Sequence, residues 1–177
     1  MNLRPLGKTT LQVSPLSLGT MTFGAQADEA ASRSMLDLSL ERGINFIDTA
    51  NAYNTGKTEE ILGRALIGRR DRVILASKVF NKMGDGPDDR GLSRAAVFKA
   101  VEASLKRLQT DYLDLYYFHQ PDYAAPLEES LGAMDELVRS GKVRFIGASN
   151  YASWQITQML WLAEKNGWQP VTATQPM

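Results

Sequence analysis

Apolar residues along this chain follow two alternating patterns, short unbroken runs and longer stretches with helical spacing. The runs lie at 16–20, 44–47, 73–77, 113–118, 143–148 and 171–174. Runs of this length between turn residues read as buried strands. Ahead of them, 3–6 and 11–13 flank a turn at Gly7-Lys8 and predict a short hairpin.

The stretches between the runs predict five helices. The first, near 30–42, aligns Ala31, Met35 and Leu38, and Gly43 stops it in the left-handed position that glycine takes freely. The second, 58–67, buries Ile61, Leu62, Ala65 and Leu66. A third opens at Ser93, a good N-cap, and carries Val97, Val101, Leu105 and Leu108 on one stripe. The fourth takes Pro126 in its first turn, aligns Leu127, Leu131, Met134 and Val138, and ends at Gly141. The fifth, 153–165, carries Ile156, Met159, Leu160 and Ala163.

Strands alternating with amphipathic helices predict an α/β fold with a parallel sheet, enclosed by helices because its strands are apolar on both faces. A doubly wound sheet is the rival. It is disfavoured because no Gly-x-Gly-x-x-Gly turn follows the first strand. The expected architecture is a TIM-type (β/α) barrel with an N-terminal β-hairpin, incomplete at about six strands of eight. A whole barrel takes about 250 residues. The chain therefore reads as a single barrel domain over 1–177, truncated after its sixth strand, whether naturally, by engineering or as the N-terminal part of a longer protein. Open first and sixth strands would invite self-association.

Composition narrows the function classes. Twenty basic residues balance twenty acidic ones, so no net field favours nucleic acid or an anionic membrane. No stretch approaches the roughly 18 apolar residues of a membrane helix, and residues 1–10 lack a signal-peptide core. There is no cysteine and one histidine, which removes thiol chemistry and thiolate metal sites, so no metal is expected. A cytoplasmic setting fits.

The chemistry sits where the runs end. The last five hand over to Asp48, Lys78, His119, Ser149-Asn150 and Gln175 in turn. In a parallel barrel these ends surround one mouth, where active sites are built. An ammonium leaving an apolar strand needs a partner, and Asp48 is the candidate for Lys78. That pair alone has an equally good structural reading, an ion pair between neighbouring strands. Tyr53, five residues beyond Asp48, can fold back over the mouth, where a lysine ammonium would stabilise its phenolate and ease proton release. His119 could orient a carbonyl oxygen or relay a proton; a lone histidine after three aromatics is more often a hydrogen-bonded packing residue. Ser149, Asn150 and Gln175 can match the donors and acceptors of a carboxamide. Ordinary capping of the fifth helix by Ser149 or Asn150 explains the first two equally well.

Together these residues resemble the aldo-keto reductases. Gly43-Ile44-Asn45-Phe46-Ile47-Asp48-Thr49-Ala50 with Tyr53, then Gly56, Glu59-Glu60 and Leu62-Gly63, is similar to that family's second-strand signature. Leu105 through Asp114 with His119, and Gly141-Lys142-Val143-Arg144 through Asn150, match its later strand patterns. The resemblance implies a (β/α)8 barrel and NADPH-dependent reduction of a small aldehyde or ketone. By that resemblance Asp48, Tyr53, Lys78 and His119 form a catalytic tetrad, with Tyr53 as general acid, Lys78 easing its deprotonation, Asp48 holding Lys78 and His119 positioning the carbonyl. Gly19, Thr20, Met21, Asp48, Ser149, Asn150 and Gln175 then serve NADPH (NADP+), the last three at its carboxamide and the first three near the nicotinamide ring. The parts of that family that stack on nicotinamide and clamp the phosphates would lie beyond Met177, so the same resemblance implies an inactive chain when it stands alone.

Met21, Phe23 and Trp154 are candidate pocket residues, Trp154 with the alternative of plain packing on the fifth helix. The segment 81–91 reads as a solvent loop or as a loop over the active-site side. Two other functions compete: a Schiff-base lyase using Lys78, which pairing with Asp48 opposes, and a non-enzymatic, regulatory or inactive relative.

Overall fold

The computed structural model describes residues 1–176. A two-stranded antiparallel hairpin, β1 (Arg4–Pro5) and β2 (Gln12–Val13), precedes six parallel strands: β3 (Ser17–Gly19), β4 (Phe46–Asp48), β5 (Ile74–Val79), β6 (Leu113–Phe118), β7 (Val143–Ser149) and β8 (Val171–Gln175). The helices between them are α1 (Glu29–Glu41), α2 (Lys57–Ala65), α3 (Arg94–Leu108), α4 (Leu127–Arg139) and α5 (Ser153–Asn166).

Strand order in the sheet equals order in the chain, β3 to β8 without a reversal. A doubly wound sheet reverses order at its switch point. A monotonic order instead curls the sheet, and the result here is part of a barrel wall. Among the described residues, β3 and β8 each pair on one side only.

The pleat sorts side chains between two apolar layers. Outward-facing Ile47, Leu75, Tyr116, Phe118 and Ile146 join the buried faces of the helices in one large cluster. Inward-facing Ala76, Leu115 and Tyr117 form a second, smaller cluster with Phe46, Phe145 and Ala173, and Leu6 of the hairpin packs against it. The hairpin is tied on by Asn45, whose Oδ1 accepts from the Ser14 amide at 2.8 Å and whose Nδ2 donates to the Gln12 carbonyl at 2.9 Å.

Most helix faces follow the expected stripes. Val97, Val101, Leu105 and Leu108 of α3 are buried, and the Ser93 side chain caps it by accepting from the Ala96 amide. The α1 stripe is different. Met35 and Leu38 are exposed, and the buried face is Ser32, Leu36 and Ser39. Small serines at this spacing let the helix sit close, and Ser32 satisfies its hydroxyl on the Ala27 carbonyl. In α5, Met159 and Ala163 are buried as expected, while Leu160 is exposed and Leu162 takes the inner position. Pro126 occupies the N-cap position of α4 rather than its first turn. No helix among the described residues is long and apolar enough to cross a membrane.

Two glycines of the second-strand signature, Gly56 against the Arg107 side chain and Gly63 against the α3 backbone, act in packing between α2 and α3. A Cβ on Gly63 would lie 2.3 Å from the Arg107 carbonyl oxygen, so only glycine allows that approach. Beside it, fully buried Glu59 accepts from Arg107 at 2.8 Å and from the Ser77 hydroxyl at 2.6 Å, which fastens α2 to both α3 and β5.

Candidate functional site

The inward face of each strand alternates with the outer one, and its last inward positions carry the polar groups. Asp48 ends β4, and Lys78 follows Ala76 on the inward face of β5. Lys78 is almost wholly buried, at 1% exposure, and its ammonium is therefore solvated by protein alone. It donates to Asp48 Oδ2 at 2.7 Å, to the Thr49 carbonyl at 2.9 Å and to the Tyr53 hydroxyl oxygen at 3.2 Å. Three N–H donors thus have three acceptors.

Tyr53 reaches Lys78 from a short 3-10 turn, 53–56, whose Asn54 and Thr55 have φ of 49° and 53°. Left-handed backbone at two consecutive non-glycine residues is strained. The Asn54 side chain anchors the turn on the Gly24 carbonyl, and Gly56, at φ 88°, leads into α2. Strain in the turn and a fixed α2 together place the phenol over the mouth.

His119 follows β6, its amide donating to the Val79 carbonyl at 2.9 Å and its carbonyl accepting from Asn150 Nδ2 at 3.0 Å. Its ring meets the Tyr53 ring edge-on, centroids 6.1 Å apart. Burial pushes the imidazole down to about 4, the Lys78 ammonium adds to this, and the Asp48 carboxylate opposes it. The ring is neutral at physiological pH. All four tetrad candidates are therefore brought together.

Tyr117 lies beneath them on the inward face, its ring 5.9 Å from Lys78 Nζ. Burial, with the Asp48 charge nearby, pushes this phenol well above its ordinary value, so it stays protonated. The space for its ring comes from Gly147, where a Cβ would stand 2.4 Å from Tyr117 Cε1. Neither residue was legible as part of the site, because the sequence shows only an aromatic run and a glycine in a strand.

The carboxamide candidates cluster at β7 and β8. The Ser149 hydroxyl donates to the Gln175 carbonyl at 3.1 Å, and Asn150 Nδ2 contacts Ser149 Oγ at 3.1 Å. Asn150 has a left-handed backbone, φ 62°, and its Oδ1 is buried with no partner among the described residues. Neither residue caps α5: Ala152 is the N-cap, and its amide donates to Gln155 Oε1. A buried, unsatisfied acceptor costs free energy unless a donor arrives, so Asn150 fits a carboxamide N–H. At β3, a Cβ on Gly19 would meet nothing within 4 Å, so that glycine leaves open space beside Asp48. Thr20 is fully buried, and its hydroxyl is committed to the Asp48 carbonyl at 2.9 Å, joining β3 to β4. Met21 is exposed.

Phe23 does not line a pocket. It is 1% exposed within the outer core, and its carbonyl accepts from the Thr58 hydroxyl. Trp154 is largely exposed at the start of α5. A cavity of about 440 Å³ adjoins the site between α3 and the 81–91 loop, walled in part by Asn51, Thr55 and Asn81, but none of the four tetrad residues lines it. Asn81 was missed as a site residue, since nothing in a Gly- and Asp-rich loop marks it; its Nδ2 lies 3.2 Å from His119 Nδ1.

The model of the Aldo/keto reductase family matches residues 15–176. The chain is 45% identical over 90% of its length to the uncharacterized oxidoreductase YrpG of Bacillus subtilis, and 40% identical over 96% to the aldo-keto reductase YhdN of the same organism. It is also 40% identical over 93% of its length to a probable voltage-gated potassium channel subunit beta of Arabidopsis thaliana. These matches cover 52%, 53% and 51% of the respective relatives, so the chain spans about half their length.

Proposed function

Because the chain belongs to the aldo/keto reductase family, whose members are oxidoreductases acting on carbonyls, we propose that it carries the proton-transfer half of an NADPH-dependent aldehyde or ketone reductase. The observation that carries this reading is the position of the Lys78 ammonium, within hydrogen-bonding distance of both Asp48 and the Tyr53 hydroxyl. Reduced nicotinamide, when bound, supplies a hydride to the carbonyl carbon.

The residues of this chain do the rest. Tyr53 gives its proton to the developing alkoxide oxygen, and Lys78 at 3.2 Å stabilises the phenolate left behind. Asp48 keeps Lys78 charged and aimed. His119, neutral, donates to the same carbonyl oxygen and orients it. Ser149, Asn150 and Gln175 would hold the carboxamide, with the unpartnered Asn150 Oδ1 as acceptor, and the open space at Gly19 would admit the ring. Saturation of Lys78 by three acceptors speaks against a Schiff-base role, which needs a neutral amine.

The test is NADPH consumption with a panel of aldehydes and ketones, measured in the 177-residue chain and in a chain extended to its relatives' length. Tyr53→Phe should lower turnover by about 10² to 10⁴ while leaving the fold intact. A Tyr53→Phe rate near that of the parent sinks the reading.

A second reading is favoured by the 40% identity to the probable channel subunits: a subunit that holds cofactor and attaches to a partner without turnover. Nicotinamide fluorescence that responds to the protein, with no carbonyl reduced across the panel, would favour it over the first.

A further inference from the structure

We infer that Asn81 is a positioning residue that holds His119 with its ring proton on Nε2. The geometry stands independently of the proposed reaction; its catalytic consequence rests on that reading. An imidazole has two nitrogens, and the partner of one decides which of them carries the proton. His119 Nδ1 lies 3.2 Å from Asn81 Nδ2, an amide nitrogen that can only donate. With the Asn81 amide nitrogen facing the ring, Nδ1 accepts, and the proton of the neutral ring goes to Nε2.

Both partners are fixed. Asn81 stands three residues after Lys78, where the Gly91 amide donates to the Phe80 carbonyl at 2.7 Å and the Met83 amide to the Asp89 carbonyl at 2.7 Å. These bonds close the 81–91 loop on itself beside the strand end. His119 is pinned at its amide by Val79 and at its carbonyl by Asn150, so only its side-chain torsions remain free. The Lys78 ammonium, the Asp48 carboxylate and the Tyr53 phenol complete the polar surroundings of the ring. An Nε2–H can donate to the oxygen that Tyr53 protonates. The opposite tautomer would face that oxygen with a lone pair and repel it. Of the two readings of the 81–91 segment, a solvent loop or a loop over the active-site side, this contact favours the second.

His119 is the only histidine of the chain, so long-range ¹H–¹⁵N NMR of the 177-residue protein reports its tautomer without interference. At neutral pH, Nδ1 should give a pyridine-like and Nε2 a pyrrole-like resonance. In Asn81→Asp, whose carboxylate only accepts, Nδ1 should gain a proton. In Asn81→Ala, the two nitrogens should move toward averaged shifts; circular dichroism checks the fold of both variants. Where turnover is measurable, Asn81→Asp should lower kcat about tenfold with KM for the cofactor unchanged. A parent spectrum with the proton on Nδ1, or an Asn81→Asp spectrum with Nδ1 still bare, overturns the inference. If the spectra behave as expected and no carbonyl is reduced, the proposed reaction fails and the role of Asn81 in setting the tautomer stands.

Discussion

Lys78 Nζ lies 2.7 Å from Asp48 Oδ2, with both residues at inward positions of adjacent strands and Lys78 almost fully buried. Removing one member leaves the other as an uncompensated buried charge, which costs about 3–5 kcal/mol. Lys78→Met and Asp48→Asn should each lower the unfolding free energy measured by urea titration by an amount in that range. The double variant should lose much less than the sum, because it leaves no charge behind. Strictly additive losses would show that the two side chains do not act as a pair.

Gly147 and Tyr117 make a second test, of the site's floor. A Cβ at position 147 would lie 2.4 Å from Tyr117 Cε1 and 3.1 Å from the Ala173 carbonyl oxygen. Gly147→Ala should destabilise by about 1–3 kcal/mol, since an overpacked core must push the ring or the strand aside. Tyr117→Leu in the same chain removes the ring and should recover most of that loss. Thermal unfolding of the three variants decides it, and a double variant no better than Gly147→Ala alone refutes the clash.

Three of the four tetrad candidates could be read from the sequence because each follows an apolar run, and a parallel sheet gathers the ends of such runs at one place. Asp48, Lys78 and His119 were legible for that reason, and Tyr53 through its distance from Asp48. What strand ends do not encode is which loop side chain turns back. Asn81 supports His119 from a segment with no periodicity at all, and only the fold brings it within 3.2 Å. Apolar periodicity also failed on α1, where Ser32 and Ser39 are buried and Met35 and Leu38 are not. The buried face of that helix takes small residues, and a hydrophobicity pattern cannot register small size. Phe23 misled in the opposite sense, since a residue just past a strand end can turn under the mouth as readily as over it.

Asn150 separates backbone strain from ligand recognition. Its φ of 62° costs a residue with a Cβ about 1–2 kcal/mol, and its amide spans His119 and Ser149. Asn150→Ala should therefore be about 1 kcal/mol less stable than Asn150→Gly, because glycine accepts that backbone conformation freely. Both lose the same side-chain contacts. Nicotinamide binding, followed by fluorescence titration, should weaken equally in the two. Equal stabilities would place no strain at this position.

The pH dependence of stability should carry a signature of His119. Its imidazole titrates near 6.5 in an unfolded chain and is pushed down to about 4 in the fold, chiefly by burial, with Lys78 assisting. Between those values the unfolded state binds more protons than the folded one, so stability falls as pH falls. The contribution is fully present above the unfolded value and is lost as pH drops through the folded one. The ring is partly exposed, which screens the effect to about 1–2 kcal/mol. With no other histidine in the chain, His119→Gln should remove this segment of the profile and leave the steeper carboxylate-driven loss at lower pH. Urea unfolding of both proteins across this range makes the comparison. Parallel profiles for parent and variant would mean that the imidazole is solvated in the fold and carries no such penalty.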